Sequence, residues 1–257
     1  MNCHNLMMRV TEEHSMAAVL EVKPAPSQAG YYPESDGQPM AENTKQFQWI
    51  VTIKENLDAL LPNAFVAGDL FWYPLEGNNL VRQAPNVLVA FGRPKGHRGS
   101  YRQWEEDNIA PQIVFEILSP GNRVMEMLKK EQFYDRYGVA EYYVYDPDDN
   151  ELVGWRREAG QWQRIDEVNG WISPLLGVRF ELTTETLVMY RPDGSRFETF
   201  AELLQRAEAE RQAKEAALAQ MEAALAQAEQ ERQTANALRA ELERLQRQRD
   251  TTRGAQS

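Results

Sequence analysis

The chain has one cysteine, Cys3, and three histidines among 257 residues. A lone cysteine excludes an intramolecular disulfide framework, and Cys3, His4, His14 and His97 have none of the recurrent spacings of a structural zinc site. Long apolar runs are missing too. Nothing approaches the roughly 20 residues that span a bilayer, and Met1 to Gly30 has neither the basic start nor the apolar core of a secretory signal. The expectation is a cytoplasmic protein without membrane contact. Positive charge is the third scarcity: 28 Lys and Arg stand against 39 Asp and Glu, a net charge of −11. Nonspecific nucleic-acid binding rests on Lys and Arg neutralising phosphates, so high affinity for bulk DNA is not expected. Any nucleic-acid chemistry needs a bound cation or a local basic patch. Arg93, Lys95, His97, Arg98 and Arg102 form the candidate stretch, which also reads as a solvated loop punctuated by Pro94, Gly96 and Gly99.

Periodicity divides the chain into three parts. Residues 1–30 carry no pattern and are expected to be unstructured. Residues 31–198 carry α/β signals. Phe47, Ile50, Val51, Lys54, Leu57 and Leu61 recur at intervals of three and four, which predicts a first helix. Three β-rich runs follow: AFVAGDLFWYP, PNVLVAFG and PQIVFEILSP, the last two apolar enough to be central strands. Val124 to Tyr137 reads as a helix stopped by Gly138, and AEYYVYDP as a further strand. Strand, helix, strand with short connections suggests a crossover unit. Two hairpins, ELVGWRREAGQWQRI and the segment through RFELTTETLVMYRPDG, extend or cover the sheet, and the aromatic residues from Tyr142 to Trp171 read as sheet packing. From Thr199 the chain has neither Pro nor Gly until Gly254, which predicts one long helix over 199–257. Leu218, Met221, Leu225 and Ala228 keep coiled-coil spacing, as do Leu238, Leu242 and Leu245. Arg232 and Arg239 break the first register, and an offset near Ala235 reconciles the two. A weak parallel homodimer through this helix is expected. A solvated single helix held by Glu and Arg pairs is the alternative.

One residue is out of keeping with its surroundings. Glu116 lies inside Ile113-Val114-Phe115-Glu116-Ile117-Leu118, where an unpaired carboxylate costs more than a strand can return. Alternation puts Val114, Glu116 and Leu118 on one face and Ile113, Phe115 and Ile117 on the other. The following helix carries Glu126, Lys130 and Tyr134 at intervals of four, on one face, so Lys130 can reach back over the strand end. This pattern serves either a site at the strand end or a structural ion pair of Glu116 with Lys130 or Arg123. Asp69 in GDLFWYP reads as a turn or strand-edge residue. Ser119 has no His nearby and sits in a turn, not a nucleophile elbow.

The series YPESDGQPMAE, APNVLVAFG, PQIVFEILSPGNR and KKEQFYDRYGVAEYYVYDP resembles the Uma-two family of restriction endonucleases, a bacterial branch of the PD-(D/E)XK nuclease superfamily, over Tyr31 to Arg191. The resemblance implies a mixed sheet flanked by helices, with the active site at the sheet's edge. It implies a site that holds Mg²⁺ or Mn²⁺ and hydrolyses DNA phosphodiesters. Carried over residue by residue, Glu116 matches the acidic metal ligand of the second motif. Leu118 stands where the superfamily pattern has its Lys, and Lys130 matches the position on the following helix to which similar families move it. Glu126 matches an Asp position ahead of that Lys, and Glu42 an acidic residue on the first helix that can complete the site. The first strand motif departs from the family: Asn86 stands where the family has Asp. Asn86 offers a metal a neutral oxygen and withholds one negative charge. Two function classes follow: a metal-dependent endonuclease weakened by Asn86, or an inactive nuclease-fold protein that serves as a dimeric interaction module.

Overall fold

Asn43 starts the first helix, α1 (Thr44–Leu60): its extended backbone precedes the helix and its side-chain oxygen accepts the Gln46 N–H at 2.8 Å. The computed structural model to which this helix belongs describes residues 30–35, 37, 41–121 and 124–254, with side chains to Arg247 in the last helix. The segment 1–30 expected to be unstructured lies outside the described residues apart from Gly30, as do Asn122 and Arg123. The buried face of α1 is Gln46, Ile50, Ile53 and Leu57. The apolar spacing predicted Phe47 and Val51 on that face, but Phe47 is 48% exposed. The helix is rotated because a polar residue, Gln46, has a role at the sheet: its Nε2 donates to the Ile117 carbonyl at 2.8 Å while its Oε1 accepts the Glu42 N–H at 2.8 Å.

Six strands make the central sheet: β1 (Ala64–Gly68), β3 (Val87–Phe91), β5 (Ile113–Ile117), β6 (Glu141–Asp146), β7 (Glu151–Glu158) and β8 (Gln161–Arg164), in the order β1-β3-β5-β6-β7-β8. Within this sheet only β5 and β6 pair in parallel, and the helix α2 (Val124–Arg136) makes the crossover between them. Gly138, two residues past α2, has φ +89°, which lets the chain leave the helix and turn into β6. The run AFVAGDLFWYP is not one strand. It breaks at Asp69, whose φ of +48° cannot continue a pleat, and the short strand β2 (Trp72–Tyr73) pairs with β4 (Tyr101–Arg102) in a separate two-stranded sheet.

Alternation along the strands divides the core by face. Ile113, Phe115 and Ile117 pack with Ile50, Ile53 and Leu57 of α1, and with Phe180, Leu187 and Met189 of the hairpin β9 (Arg179–Leu182) and β10 (Leu187–Tyr190). Val114 packs on the opposite face with Phe65, Leu88, Tyr134 of α2, Tyr142 and Val144. One predicted hairpin therefore extends the sheet as β7 and β8, and the other covers it as β9 and β10. Truncating a buried side chain such as Ile53 or Leu57 to Ala costs about 2–5 kcal/mol.

The long helix α3 (Phe200–Gly254) opens on a capping box: the Thr199 hydroxyl faces the Glu202 N–H at 3.3 Å, and the Glu202 carboxylate accepts the Thr199 N–H at 2.8 Å. Arg206 pairs with Glu198 at 3.0 Å. From Leu204 to Arg247 every side chain is exposed, including Leu218, Met221, Leu225, Leu238, Leu242 and Leu245. No helix among the described residues is long and apolar enough to cross a membrane.

A second buried carboxylate, Glu141, holds the loop before β9 to the sheet. Tyr143 donates to it at 2.9 Å and the Leu175 N–H at 3.1 Å, and the Ser173 hydroxyl donates as well. Removing the acceptor strands three donors, each worth about 1–3 kcal/mol when buried and unpaired. Glu141→Ala is therefore expected to lower unfolding free energy by about 3 kcal/mol or more, with Glu141→Gln intermediate. Urea titration checks this, and a change within about 0.5 kcal/mol would mean that water serves the three donors.

Candidate active site

Glu116 is 2% exposed, on the α2 side of β5. Two side chains of α2, one turn apart, meet it: Lys130 Nζ donates to one carboxylate oxygen at 3.0 Å, and the Tyr134 hydroxyl donates to the other at 2.6 Å. The spacing of four puts both donors over the strand, and the parallel crossover puts α2 against this face. Burial pulls the Lys130 ammonium down, but Glu116 beside it, with Glu126 and Asp69 further off, reverses the shift, and its pKa stands above the ordinary lysine value. Burial and Glu116 together push the Tyr134 phenol well above the ordinary tyrosine value, so it stays a donor. Losing one partner of a buried pair costs about 3–5 kcal/mol, because the other charge remains.

Asn86 is buried beside this pair, and its Oδ1 accepts the Ile117 N–H at 2.8 Å. Since Val87 pairs with Phe115, Asn86 falls opposite Glu116 on the antiparallel strand. It shares its face with Leu88, which packs on the α2 side. One strand further out, Gly68 pairs with Val87, and the Asp69 N–H donates to the Asn86 carbonyl at 3.2 Å. A Cβ on Gly68 would meet Ile50 of α1, and the chain leaves the pleat at Asp69. The ends of β1, β3 and β5 thus bring Asp69, Asn86 and Glu116 to neighbouring positions across the sheet. Asp69 stands one residue past β1, at the edge of the sheet, where its reading as a turn or strand-edge residue puts it.

The other predicted site residues lie further out. Glu126 is exposed in the first turn of α2 and reaches Lys130 only as a lesser electrostatic influence. Glu42 is exposed before α1 and accepts from the Ser119 hydroxyl, over Gly121, rather than meeting Glu116. Arg123 lies outside the described residues. A groove of about 440 Å³ opens next to the site between α2 and β6–β7, lined by Leu118, Ser119, Leu128, Glu131, Tyr142 and Trp155 among others. The Tyr142 ring stacks on Trp155, as sheet packing predicts, yet its buried hydroxyl has no hydrogen-bond partner.

The basic stretch is largely neutralised. Arg93 pairs with Asp107, Lys95 with Asp58, Arg98 with Glu106 and Arg102 with Glu105. Among the described residues, no group of three or more His, Cys, Asp and Glu side chains converges on a metal position. Glu116 keeps lone pairs beyond its two hydrogen bonds, because a carboxylate accepts at about four positions. Mg²⁺ needs only one or two carboxylates when substrate phosphate and water complete its shell, so this donor set fits it.

A mixed sheet with helices packed on it, and a buried carboxylate held by a lysine near the strand ends, places the protein among α/β domains. The profile of the Uma2 family, described as "Putative restriction endonuclease", matches residues 36–187, and the chain belongs to this family. The motif series named the same family. Among solved structures, the chain is similar to one from Anabaena variabilis ATCC 29413, described as a "putative nuclease belonging to DUF820". That likeness has 18% identity, covers 55% of this chain and 79% of the other, and has a TM-score of 0.39. No curated protein matches the chain.

The shifts on Lys130 and Tyr134 have the same sign of consequence. A lysine whose folded pKa is raised stabilises the fold fully below its unfolded pKa, about 10.4, and loses this as pH rises through the folded value. A tyrosine raised in the fold likewise resists ionisation, so stability falls above its unfolded pKa of about 10. Unfolding free energy should therefore drop from about pH 10 upward, and the drop should be shallower in Lys130→Met/Tyr134→Phe. Denaturant titrations at stepped pH measure both, and equal slopes would place the alkaline sensitivity elsewhere.

Proposed function

We propose that this protein is a divalent-cation-dependent endonuclease that hydrolyses DNA phosphodiesters at the strand ends around Glu116. The observation that carries the reading is a buried carboxylate whose cationic partner, Lys130, comes from the helix position that the family resemblance assigns to the catalytic lysine. Glu116 and Asn86 are the residues that would hold Mg²⁺ or Mn²⁺. Such an ion, when bound, stabilises the negative charge that builds on a phosphodiester under attack. Tyr134 fixes the Glu116 carboxylate in one orientation. Lys130 holds a phosphate oxygen or orients the attacking water, and its raised pKa keeps it cationic at neutral pH. Glu126 and Glu42 lie at the approaches, where they act on the water or the phosphate without touching Glu116. Residues 31–198 carry the chemistry in this reading, within the cytoplasm.

The net charge of −11 and the paired basic stretch make bulk DNA affinity low, so substrate capture depends on the cation. A second reading has one observation in its favour: Asn86 is neutral and its oxygen already serves Ile117. On that reading the chain is an inactive interaction module. The two separate in a supercoiled-plasmid assay with Mg²⁺ or Mn²⁺. The nuclease reading expects Glu116→Ala and Lys130→Ala to lose at least about a hundredfold of the cleavage rate. Asn86→Asp should gain about tenfold, the equivalent of roughly 1.4 kcal/mol. Identical traces from all four proteins would remove the catalytic assignment.

The apolar residues of α3 are best covered by a second copy of the same helix in a parallel coiled coil, with the offset near Ala235 joining the two registers. Deleting 199–257 should reduce the mass seen by light scattering to that of a monomer. A truncated chain that keeps the full-length oligomer would refute pairing through α3.

A further inference from the structure

We infer that the groove between α2 and β6–β7 takes one unpaired nucleobase of the substrate strand, so that the chain acts on single-stranded or locally opened DNA rather than on intact duplex. This rests on the nuclease reading and deepens it by naming the substrate. Three observations support it.

The first is position. Val144 is the register partner of Glu116 on β6, Leu118 lies two residues beyond Glu116, and both line the groove. Neighbouring strands lie about 4.8 Å apart, so the groove starts one strand from the carboxylate. A phosphate held beside Glu116 and Lys130 leaves the base of its own nucleotide within reach of the groove.

The second is the chemistry of the walls. Met127, Leu128, Val153 and the Trp155 ring give an apolar and aromatic lining, and no Lys, Arg or His is among its described residues. The charged groups there are two carboxylates, Glu131 and Asp146. Asp146 already accepts the N–H groups of Asp148 and Asp149, whereas Glu131 is half-buried and makes no ion pair or hydrogen bond among the described residues. Such walls repel a phosphate. They suit a flat ring that packs on aromatic and apolar side chains and offers an amino group to a carboxylate, as cytosine does.

The third is an unmet hydroxyl. Tyr142 is 1% exposed and lines the groove, with its ring against Tyr134 and Trp155, and its hydroxyl has no hydrogen-bond partner. A buried hydroxyl left unpaired is costly, and a ring nitrogen or carbonyl of a base in the groove would accept from it. The volume of about 440 Å³ is that of a small-molecule pocket. In a duplex every base is stacked and paired, so only an unpaired or extruded base can enter.

The test pairs two measurements on the full-length protein. Saturation-transfer NMR reads the binding of deoxycytidine and thymidine at millimolar concentration without metal. Cleavage with Mn²⁺ compares one labelled oligonucleotide as a single strand and annealed to its complement. Deoxycytidine should bind saturably, with transfer strongest at its base protons, and about threefold tighter than thymidine. Glu131→Gln should remove that preference. Leu128 is 43% exposed at the rim, so Leu128→Trp should block the groove and abolish transfer with an unchanged melting curve. The single strand should be cut at least about tenfold faster than the duplex. Absent base-proton transfer, transfer that survives Leu128→Trp, or a duplex cut as fast as the single strand overturns the inference and leaves the nuclease reading standing. Nucleoside binding that Leu128→Trp abolishes, in a protein that cuts neither DNA, overturns the nuclease reading and retains the base site.

Discussion

The Glu116 carboxylate at the end of β5 cannot exist in this fold without α2. An ion removed from water needs a partner and filled lone pairs, and both come from one helix: Lys130 to one oxygen, Tyr134 to the other. The same two residues lie in the interface through which α2 packs on the sheet, with the Tyr134 ring parallel to Trp72 and tilted against Tyr142. Docking the helix and satisfying the carboxylate are one event. The β5-α2-β6 crossover fixes where α2 runs, and the helical interval of four decides which side chains reach the strand end. Fold and site are thereby coupled through a single ion pair.

The last residue of β5 explains why the polar residues around it are what they are. The Ile117 N–H is met by the Asn86 side chain and its carbonyl by the Gln46 side chain, one from a neighbouring strand and one from α1. Side chains thus replace the strand ladder where the sheet opens, which satisfies the buried backbone without closing the opening. Asn86 has a structural reason to carry a carbonyl oxygen. An Asp there would serve Ile117 equally and add a charge. The substitution preserves the architecture and alters only the electrostatics.

Much of this was legible in the sequence because it depends on short-range periodicity. The faces of β5, the helix after it and the spacing from Glu116 to Lys130 follow from intervals of two and four. The Thr199 boundary follows from the loss of Pro and Gly. What escaped depends on contacts between distant segments. The rotation of α1, with Gln46 buried and Phe47 exposed, arises from the hydrogen bond of Gln46 to a carbonyl 71 residues away. The break at Asp69 splits one apolar run between two sheets, and its alignment with Asn86 and Glu116 exists only once strand order and register are known. The role of Glu141 escaped as well, because two of its three donors come from a loop more than 30 residues later.

Charge then constrains what such a protein can do with a polyanion. Four of the basic side chains that would meet phosphate are paired with carboxylates of the same region, and the whole chain is acidic. A long steering field toward DNA is therefore absent, and attraction has to be local and short-ranged. In the nuclease reading the strand end at Glu116 would provide a place for it: a dication held there would add positive charge next to the Lys130 ammonium. Phosphate would be drawn to the strand end only in that state. On this reading the acidic composition is what makes binding and chemistry depend on the same ion.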